Sequence, residues 1–211
     1  MQGWNTVRIA VSEMRKSDEP VQQAGYPSTM QPLKPVLGFA AFSGTGKTTL
    51  LKQLIPLLAQ RGVHAGVIKH AHHSFDVDKP GKDSYELRKA GARQMLVASD
   101  RRWALITEND TVADPKLDDL IARLDSGRID LVLVEGLKQA PFARIELHRP
   151  SLGHPLLYPD DHHIIAVAAD AALDTGDLPL LDINDAAEVT EFILSWLETQ
   201  SPRRDAGEQG V

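Results

Sequence analysis

Short apolar runs alternate with helix-like patterns along most of this chain of 211 residues. Apolar residues recur at helical spacing in 47–60, where Pro56 predicts a kink or an early end. A last amphipathic helix contains Phe192 and Trp196, and Asn184 is its predicted N-cap. This alternation predicts an α/β fold of three layers with a mostly parallel central sheet. The predicted strands are 36–42, 63–70, 94–98, 103–107, 131–134, 143–147 and 164–169.

Two shorter helices are predicted between the strands. The residues Asp-Ser-Tyr-Glu at 83–86 are typical of a capping box, so we expect a helix that opens there and ends at Gly91. A second helical pattern covers 116–124. The chain contains no internal repeat and no heptad pattern.

The two ends of the chain differ in composition from the segment between them. Residues 1–34 mix Gly, Pro, Ser, Gln and charged residues, and 199–211 are polar as well. We therefore expect flexible tails at both ends of a single domain over 35–198. Met30 stands just before the first predicted strand, so a natural start at Met30, with 1–29 as an upstream extension, is an open hypothesis.

Composition excludes several kinds of chemistry. The net charge of −6 does not indicate a nucleic-acid-binding protein. Cysteine is absent, which excludes disulfides, thiolate zinc sites and a cysteine nucleophile. No apolar run approaches the roughly 20 residues that a membrane helix needs. We therefore expect a cytoplasmic protein that has neither nucleic acid nor membrane as a partner.

The strongest chemical signal is the segment 41–49, which follows a predicted strand and opens a helix. Glycines in such a loop allow successive backbone N–H groups to point at a phosphate chain. The ammonium of Lys47 can reach the β- and γ-phosphates, and the hydroxyl of Thr48 can bind Mg²⁺. Ala41 replaces the first glycine of the usual pattern, a change that we expect the loop to tolerate. The predicted phosphate-binding residues are Ser43, Gly44, Thr45, Gly46, Lys47, Thr48 and Thr49.

An acidic residue at the tip of a neighbouring strand would complete a site for Mg²⁺ and a nucleotide. Glu135 follows the apolar run 131–134, at the end where open α/β sheets bind ligands. We expect Glu135 to hold the Mg²⁺ shell through water or to orient an attacking water, so it is the candidate catalytic and metal residue. Asp130 stands at the start of the same strand, where we expect it to cap or to pair.

The polar loop at 69–84 leaves the second predicted strand at the same sheet edge as the phosphate loop. Three interpretations of this loop stay open. The loop can form a second anion site, a metal site or an ordinary solvated surface. The anion site would use Lys69, Lys79, Lys82 and the helix start at Asp83. The metal site would use His70, His72, Asp76 and Asp78, and either aspartate can alternatively contact the Mg²⁺ of the first site.

Asp170 is a candidate for reading the base of a nucleotide. It follows the apolar run 164–169, at the tip of a predicted strand. An aspartate there can accept hydrogen bonds from N1–H and the 2-amino group of guanine, which adenine does not offer. A helix or turn cap is the alternative role.

The phosphate loop is the first of six short motifs that follow one another along the chain. They are FSGTGKTTL at 42–50, IKH at 68–70 with His72 and His73, DKPGKDS at 78–84, AGA at 90–92, LVEGLK at 133–138 and IAVAAD at 165–170. With these motifs the chain resembles the molybdopterin-guanine dinucleotide biosynthesis protein B (MobB) family over about 37–197.

The resemblance implies a homodimeric P-loop protein that binds GTP with Mg²⁺ and hydrolyses GTP slowly at most. It also implies an accessory role beside the molybdopterin guanylyltransferase that joins GMP to molybdopterin. Thr48 and Glu135 would hold Mg²⁺. The loop from His70 to Asp83 would be a candidate contact for the nucleotide or for molybdopterin, with Lys69 and Lys82 supplying positive charge.

Two other functions stay open at this point. A small-molecule kinase can use the same phosphate loop, with Asp76, Asp78 or Asp83 as its base. A metallochaperone GTPase can use the histidines at 70–73. Arg144 and Arg149 are candidate arginine fingers, although the sequence does not place either of them.

Overall fold

The computed structural model describes residues 34–71, 75–109 and 113–200, so most of both predicted tails, together with His72 and His73, lies outside the described residues. The strands are β1 Val36–Ala40, β2 Ala65–Lys69, β3 Gln94–Ala98, β4 Trp103–Thr107, β5 Leu131–Glu135, β6 Ala143–His148, β7 Ile164–Ala169 and β8 Leu180–Asp182. The helices are α1 Lys47–Gln60, α2 Asp83–Lys89, α3 Leu117–Ile121 and α4 Ala186–Gln200. Short 3₁₀ helices lie at Ser126–Arg128, Pro150–Leu152 and Tyr158–Asp160.

Six strands form one sheet in the order β2-β5-β1-β6-β7-β8, and every neighbouring pair is parallel. β1 lies between β5 and β6. The chain places β2 and β5 on one side of β1 and then crosses to the other side for β6, β7 and β8. In open parallel sheets, a crevice forms at the carboxyl end of the strands where the strand order reverses. The predicted α/β class is confirmed, and the loop after β1 begins at this crevice.

Helices cover both faces of the sheet and make the three predicted layers. α1 and α4 pack together on one face, over a core that includes Leu54, Leu58 and Ile193, each 0% exposed. On the other face, Leu120 and Ile121 of α3 pack against a smaller cluster of strand residues. The burial of apolar side chains on both faces explains why the central strands are almost wholly apolar.

The strands β3 and β4 have the predicted bounds but do not join the main sheet. They pair with each other, antiparallel, in a separate two-stranded sheet. Their apolar side chains are largely exposed, including Leu96, Trp103 and Leu105. None of the helices in the described part of the chain is long and apolar enough to cross a membrane.

Helix α1 continues past Pro56 to Gln60, so the predicted early end is wrong. Proline lacks the N–H that would bond to the carbonyl of Lys52, and the helix loses that one hydrogen bond. Pro56 is exposed, whereas Leu54 and Leu58 on either side of it are buried in the core. The burial of these leucines holds α1 on the sheet and keeps it helical in spite of the missing hydrogen bond.

The N-cap of α4 is Asp185, not the predicted Asn184. The carboxylate of Asp185 accepts hydrogen bonds from the N–H groups of Ala187 and Glu188, at 2.9 and 3.1 Å. The side chain of Asn184 turns away and accepts a hydrogen bond from Arg149 instead. Both residues suit a helix N-terminus, so only the tertiary contact decides between them.

The sequence pattern also missed β8, whose three residues include one buried position.

Candidate functional site

The phosphate loop connects the end of β1 to the start of α1. Gly44 and Gly46 have φ angles of 84° and 101°, in the left-handed region that favours glycine. The buried Thr45 closes the loop by donating its hydroxyl hydrogen to the carbonyl of Phe42 at 2.9 Å. α1 begins at Lys47 with no side-chain cap and no acidic residue in its first turn. Its first N–H groups and positive dipole end can therefore serve an anion.

Glu135 lies between two lysines at the carboxyl edge of the sheet. In register, it is opposite Lys69 of β2 on one side and Phe39 of β1 on the other. The ammonium of Lys47 is 3.8 Å from Oε1 of Glu135, and the ammonium of Lys69 is 3.5 Å from Oε2. One carboxylate between two ammonium groups leaves a net positive charge, which favours a polyanion at this edge.

Asp130 lies at the opposite end of β5 from Glu135 and pairs there, as expected. Its carboxylate accepts a hydrogen bond from the backbone N–H of His64 at 2.9 Å. This bond lowers the pKa of Asp130 below its ordinary value. The two acidic residues that flank the apolar run of β5 therefore have different surroundings, and only Glu135 is near the phosphate loop.

Gly136 allows the chain after β5 to pass close to His70. The N–H of His70 donates to the carbonyl of Glu135 at 2.8 Å. Gly136 has a φ angle of 99°, and a Cβ atom at this position would lie 2.9 Å from Cβ of His70. Any side chain here would push His70 away, so this contact requires glycine. The imidazole of His70 is mostly buried, with Nε2 3.8 Å from a carboxylate oxygen of Asp114.

These elements enclose a cavity of about 920 Å³ at the switch point of the sheet. Its volume falls in the range of small-molecule and cofactor sites. Of the predicted site residues, those that line it are Ser43, Gly44, Thr45, Gly46, Lys47, Thr48, Thr49, Lys69, His70 and Glu135. Lys82, Asp83 and Asp170 do not line it.

Lys82 and Asp83 lie at the start of α2, but the predicted capping box does not form. Lys82 is the N-cap, Asp83 is the first helical residue, and no side chain caps the helix. Glu86 instead accepts a hydrogen bond from the N–H of Gly81 at 3.1 Å. The carboxylate of Glu86 thus bonds two residues earlier than the predicted capping box, in which it would accept from the N–H of Asp83.

A buried arginine holds the acidic residues of the polar loop. Arg88 of α2 donates to Asp76 and Asp78 at 2.6 Å each, and to Glu108 after β4 at 2.7 Å. Its side chain is 6% exposed. Hydrogen bonds to the three carboxylates raise the pKa of Arg88, and the bond to Asp78 has the largest effect. Asp76 and Asp78, expected as metal ligands or as a kinase base, are engaged with Arg88.

The metal-site interpretation of the loop is not supported by the part of the chain that the structure describes. No group of three or more His, Cys, Asp or Glu side chains among the described residues is arranged to hold a metal ion. His72 and His73, which this interpretation needs, lie outside the described residues. A metal bound by the histidines therefore stays a prediction.

We expect acid to weaken the fold through Asp78. The hydrogen bond from Arg88 holds the pKa of Asp78 below the usual 3.8. A carboxylate with a lowered pKa stabilises the fold above the unfolded value, and this contribution is lost as the pH falls through the folded-state value. Asp78→Asn should therefore lower the free energy of unfolding at pH 7, and its difference from wild type should shrink below about pH 4.

Urea unfolding between pH 7 and pH 3 measures this difference. Asp177→Asn is the matched control, since Asp177 is an exposed carboxyl. A difference between Asp78→Asn and wild type that stays constant over this pH range would show that the ionised carboxylate does not support the fold.

Arg149 contacts the phosphate loop, which the sequence did not predict. Its Nε donates to the carbonyl of Thr45 at 3.0 Å. One terminal nitrogen donates to Asp170 at 2.6 Å, and the other donates to Asn184 at 2.8 Å. Asp170, the candidate guanine-reading residue, thus makes an ion pair with Arg149. The triple contact joins residues that are 21 to 104 positions apart, so no local pattern could indicate it.

Arg144, the other unplaced arginine, is 4% exposed beneath the cavity. It donates to the carboxylate of Asp161 at 3.0 Å and to three carbonyls of the loop after β5, including that of Lys138 at 2.9 Å. Its guanidinium also lies over the ring of Phe142, with 4.3 Å from the carbon to the ring centre. These contacts make Arg144 a structural residue of the cavity wall.

The chain matches one protein family over the segment that carries this site. A sequence model of the family described as "Molybdopterin guanine dinucleotide synthesis protein B" (MobB) matches residues 36–170. The chain belongs to this family. The matched segment begins at β1 and ends at Asp170, so it includes the phosphate loop, Glu135 and Arg149.

Curated relatives and solved structures agree with membership of the MobB family. A "Molybdopterin-guanine dinucleotide biosynthesis adapter protein" of Escherichia coli (strain K12) is 54% identical over 168 residues, 79% of this chain and 95% of the relative. A protein of the same name from Haemophilus influenzae is 46% identical, over 77% of this chain and 89% of the relative. The crystal structure of a molybdopterin-guanine biosynthesis protein B matches with a TM-score of 0.60 and 26% identity, over 76% of this chain and 99% of that chain.

The predicted MobB resemblance and the predicted fold class are therefore confirmed. The structure brings the phosphate loop, Lys69, His70 and Glu135 to one cavity, and it places Lys82, Asp83 and Asp170 elsewhere. The parts that individual residues play in binding stay predictions.

Proposed function

We propose that this chain is an adaptor protein that binds GTP with Mg²⁺ and assists the attachment of GMP to molybdopterin. The adaptor role in molybdenum cofactor biosynthesis follows from membership of the MobB family. The observation that carries nucleotide binding is the uncapped start of α1 at the edge of the large cavity, with Lys47 beside it. This is the arrangement with which backbone N–H groups and an ammonium bind a phosphate chain.

The phosphate-binding residues in this proposal are those at 43–49. The N–H groups after Gly44 would surround the β-phosphate, and the ammonium of Lys47 would contact the β- and γ-phosphates. Lys69 supports the proposal as a second cation at the cavity wall, 3.5 Å from Glu135. His70 lines the same cavity. The positive charge of two lysines around one carboxylate suits a triphosphate better than a neutral metabolite.

The residues that would hold Mg²⁺ are Thr48 and Glu135. Both supply oxygen, the ligand type that Mg²⁺ prefers, and both line the cavity. Mg²⁺ keeps several waters in such sites, so Glu135 can act on the ion through one of them. The ion would neutralise phosphate charge, and Glu135 would orient the water that attacks the γ-phosphate.

The proposal includes slow hydrolysis of GTP, which the contacts of Arg144 and Arg149 support. An arginine finger must reach the γ-phosphate to stabilise the transition state. Among the residues that the structure describes, Arg144 is fixed by Asp161 and loop carbonyls, and Arg149 by Thr45, Asp170 and Asn184. Neither guanidinium can contact a γ-phosphate without giving up these partners.

Guanine recognition is assigned in this proposal to Asp170. Its carboxylate lies at the carboxyl tip of β7, two strands from the phosphate loop. One oxygen is engaged by Arg149 at 2.6 Å.

Titration calorimetry with GTP and ATP in Mg²⁺ tests the proposed function. We expect GTP to bind more tightly than ATP and to turn over slowly, whereas rapid ATP turnover on addition of a small metabolite would establish the kinase alternative.

We expect Glu135→Gln to slow hydrolysis more than it weakens binding. The amide keeps the size of the side chain but cannot accept a proton from water or bind Mg²⁺ as a carboxylate does. The GTPase rate should fall by about 100-fold, at the low end for a general base, while the Kd for GTP changes less than about threefold. Single-turnover assays and calorimetry measure the two effects. An equal loss of both would give Glu135 a structural role only.

The proposal includes a homodimer in the cytoplasm, with the molybdopterin guanylyltransferase as a partner protein. The separate β3–β4 sheet supports self-association, because a two-stranded sheet is rarely stable without a partner. Leu96, Trp103 and Leu105 on it are 57%, 64% and 48% exposed. Sedimentation equilibrium measures the stoichiometry, and a mass of 23.1 kDa at micromolar concentration would exclude the dimer.

The loop from His70 to Asp83 is the proposed contact for molybdopterin.

A further inference from the structure

The peptide between Thr45 and Gly46 is held from outside the phosphate loop. Nε of Arg149 donates to the carbonyl of Thr45 at 3.0 Å. A Cβ atom at Gly46 would lie 3.9 Å from the nearest terminal nitrogen of Arg149, so the guanidinium packs against this part of the loop. Arg149 follows β6, so it reaches the phosphate loop from a different strand than the one that precedes the loop.

Fixing this carbonyl also fixes the direction of the N–H on the same peptide. In a trans peptide the C=O and N–H bonds point in opposite directions. A carbonyl that bonds outwards to Arg149 therefore turns the N–H of Gly46 the other way, away from Arg149. Since Gly46 has no Cβ and a φ of 101°, its own conformational preference does little to hold the peptide in this orientation.

Arg149 can hold the loop because its own position is fixed by two further elements. Asp170 after β7 accepts from one terminal nitrogen at 2.6 Å, and Asn184 before α4 accepts from the other at 2.8 Å. All three guanidinium nitrogens thus have a partner, in the planar geometry that arginine provides and lysine lacks. The side chains of Arg149 and Asp170 are each 27% exposed, so water screens the ion pair only partly.

We propose that Arg149 is a positioning residue of the nucleotide site, which orients the Thr45–Gly46 peptide so that its N–H meets a phosphate oxygen. Asn184 and Asp170 act through Arg149. Asp170 therefore contributes to phosphate binding whether or not it also reads a base. This inference rests on the proposed nucleotide binding and adds a specific role for three side chains outside the phosphate loop.

Tripolyphosphate is the probe that isolates this role, because it has phosphates but no base. Calorimetry in Mg²⁺ compares its binding, and that of GTP, to wild type and to Arg149→Met. We expect Arg149→Met to weaken both ligands by the same factor, about tenfold, as for the loss of one charge-assisted hydrogen bond. A loss that affects GTP alone would overturn the inference, since it would place Arg149 at the base.

Asn184→Ala tests whether the effect passes through Arg149. Asn184 is outside the phosphate loop, and its described side-chain contact is with Arg149. We expect Asn184→Ala to weaken tripolyphosphate about threefold, and the double variant to bind no more weakly than Arg149→Met alone, because residues that act through one group are not additive. Additive losses, or no loss in Asn184→Ala, would overturn the inference.

Arg61→Met is the matched control. Arg61 makes an exposed ion pair with Glu191 of α4, at the far end of α1 from the phosphate loop. It should bind both ligands like wild type, and melting curves should show that all variants are folded. If Arg149→Met does not fold, Asn184→Ala decides alone. If wild type binds neither GTP nor tripolyphosphate, the proposed function fails, whereas wild-type affinity in a folded Arg149→Met overturns this inference only.

Discussion

Lys47→Ala should weaken GTP binding by about 2–3 kcal/mol, which is about 30- to 150-fold in Kd. The ammonium of Lys47 stands at the first residue of α1 and lines the cavity. It is 3.8 Å from Oε1 of Glu135, and the side chain of Lys47 is 19% exposed and so partly shielded from water. Removing it takes one cation from the phosphates and leaves Glu135 with Lys69 as its neighbour, which makes the cavity less positive. Calorimetry with GTP and Mg²⁺ measures the loss.

Lys52→Ala is the matched control for this prediction. Lys52 lies on the same helix, is exposed and does not line the cavity. Both substitutions remove one positive charge from α1, so a nonspecific electrostatic effect would lower the affinity of both variants. We expect Lys52→Ala to bind GTP within about twofold of wild type, because an exposed charge is screened within a Debye length of about 8–10 Å. Unchanged affinity in Lys47→Ala would contradict the assignment of the phosphate site.

The fold class and the phosphate loop could be predicted because their signals are local or periodic. The run Leu131 to Val134 is apolar at every position, as a strand buried on both faces must be. The phosphate loop is a contiguous segment between a strand and a helix, so its geometry follows from neighbouring residues. The closeness of Glu135 to Lys47 followed from topology, since parallel strands end at the same edge.

The pairing of charges could not be predicted, because it depends on contacts between distant segments. Arg88 stands 10, 12 and 20 positions from its partners Asp78, Asp76 and Glu108. The sequence shows a loop rich in acids and lysines, a composition equally suited to metal binding, anion binding or a solvated surface. Only the burial of one arginine among these carboxylates decides which groups are engaged within the protein.

The predictions of the helix N-caps were wrong for a related reason. Asp83 and Asn184 both belong to the residue types that favour N-caps, and both stand within two residues of a helix start. In the structure, α2 begins after Lys82, and the cap of α4 is Asp185. Asn184 instead supports Arg149. A cap can form at several adjacent positions at similar cost, so tertiary contacts select among them.

Arg144→Met should destabilise the protein by about 3–5 kcal/mol, the cost of removing one partner from a buried charged network. Arg144 is 4% exposed and bonds Asp161 together with the carbonyls of Leu137, Lys138 and Ala140. Leu137 has a φ of 51°, which is unusual for a residue with a side chain, and the bonds to this loop help to hold it there. Methionine fills similar space but leaves these acceptors without their donor. Urea unfolding followed by circular dichroism measures the loss.

Arg61→Met sets the scale for this result. Arg61 and Glu191 form an ion pair whose side chains are 52% and 58% exposed, so losing it should cost less than about 1 kcal/mol. Arg144→Lys separates charge from geometry: a lysine keeps the positive charge near Asp161 but cannot reach three carbonyls in the plane of a guanidinium. We expect its stability to lie between those of wild type and Arg144→Met. A loss in Arg144→Met no larger than that in Arg61→Met would mean that water replaces the guanidinium at the loop carbonyls, and that the cavity wall does not depend on Arg144.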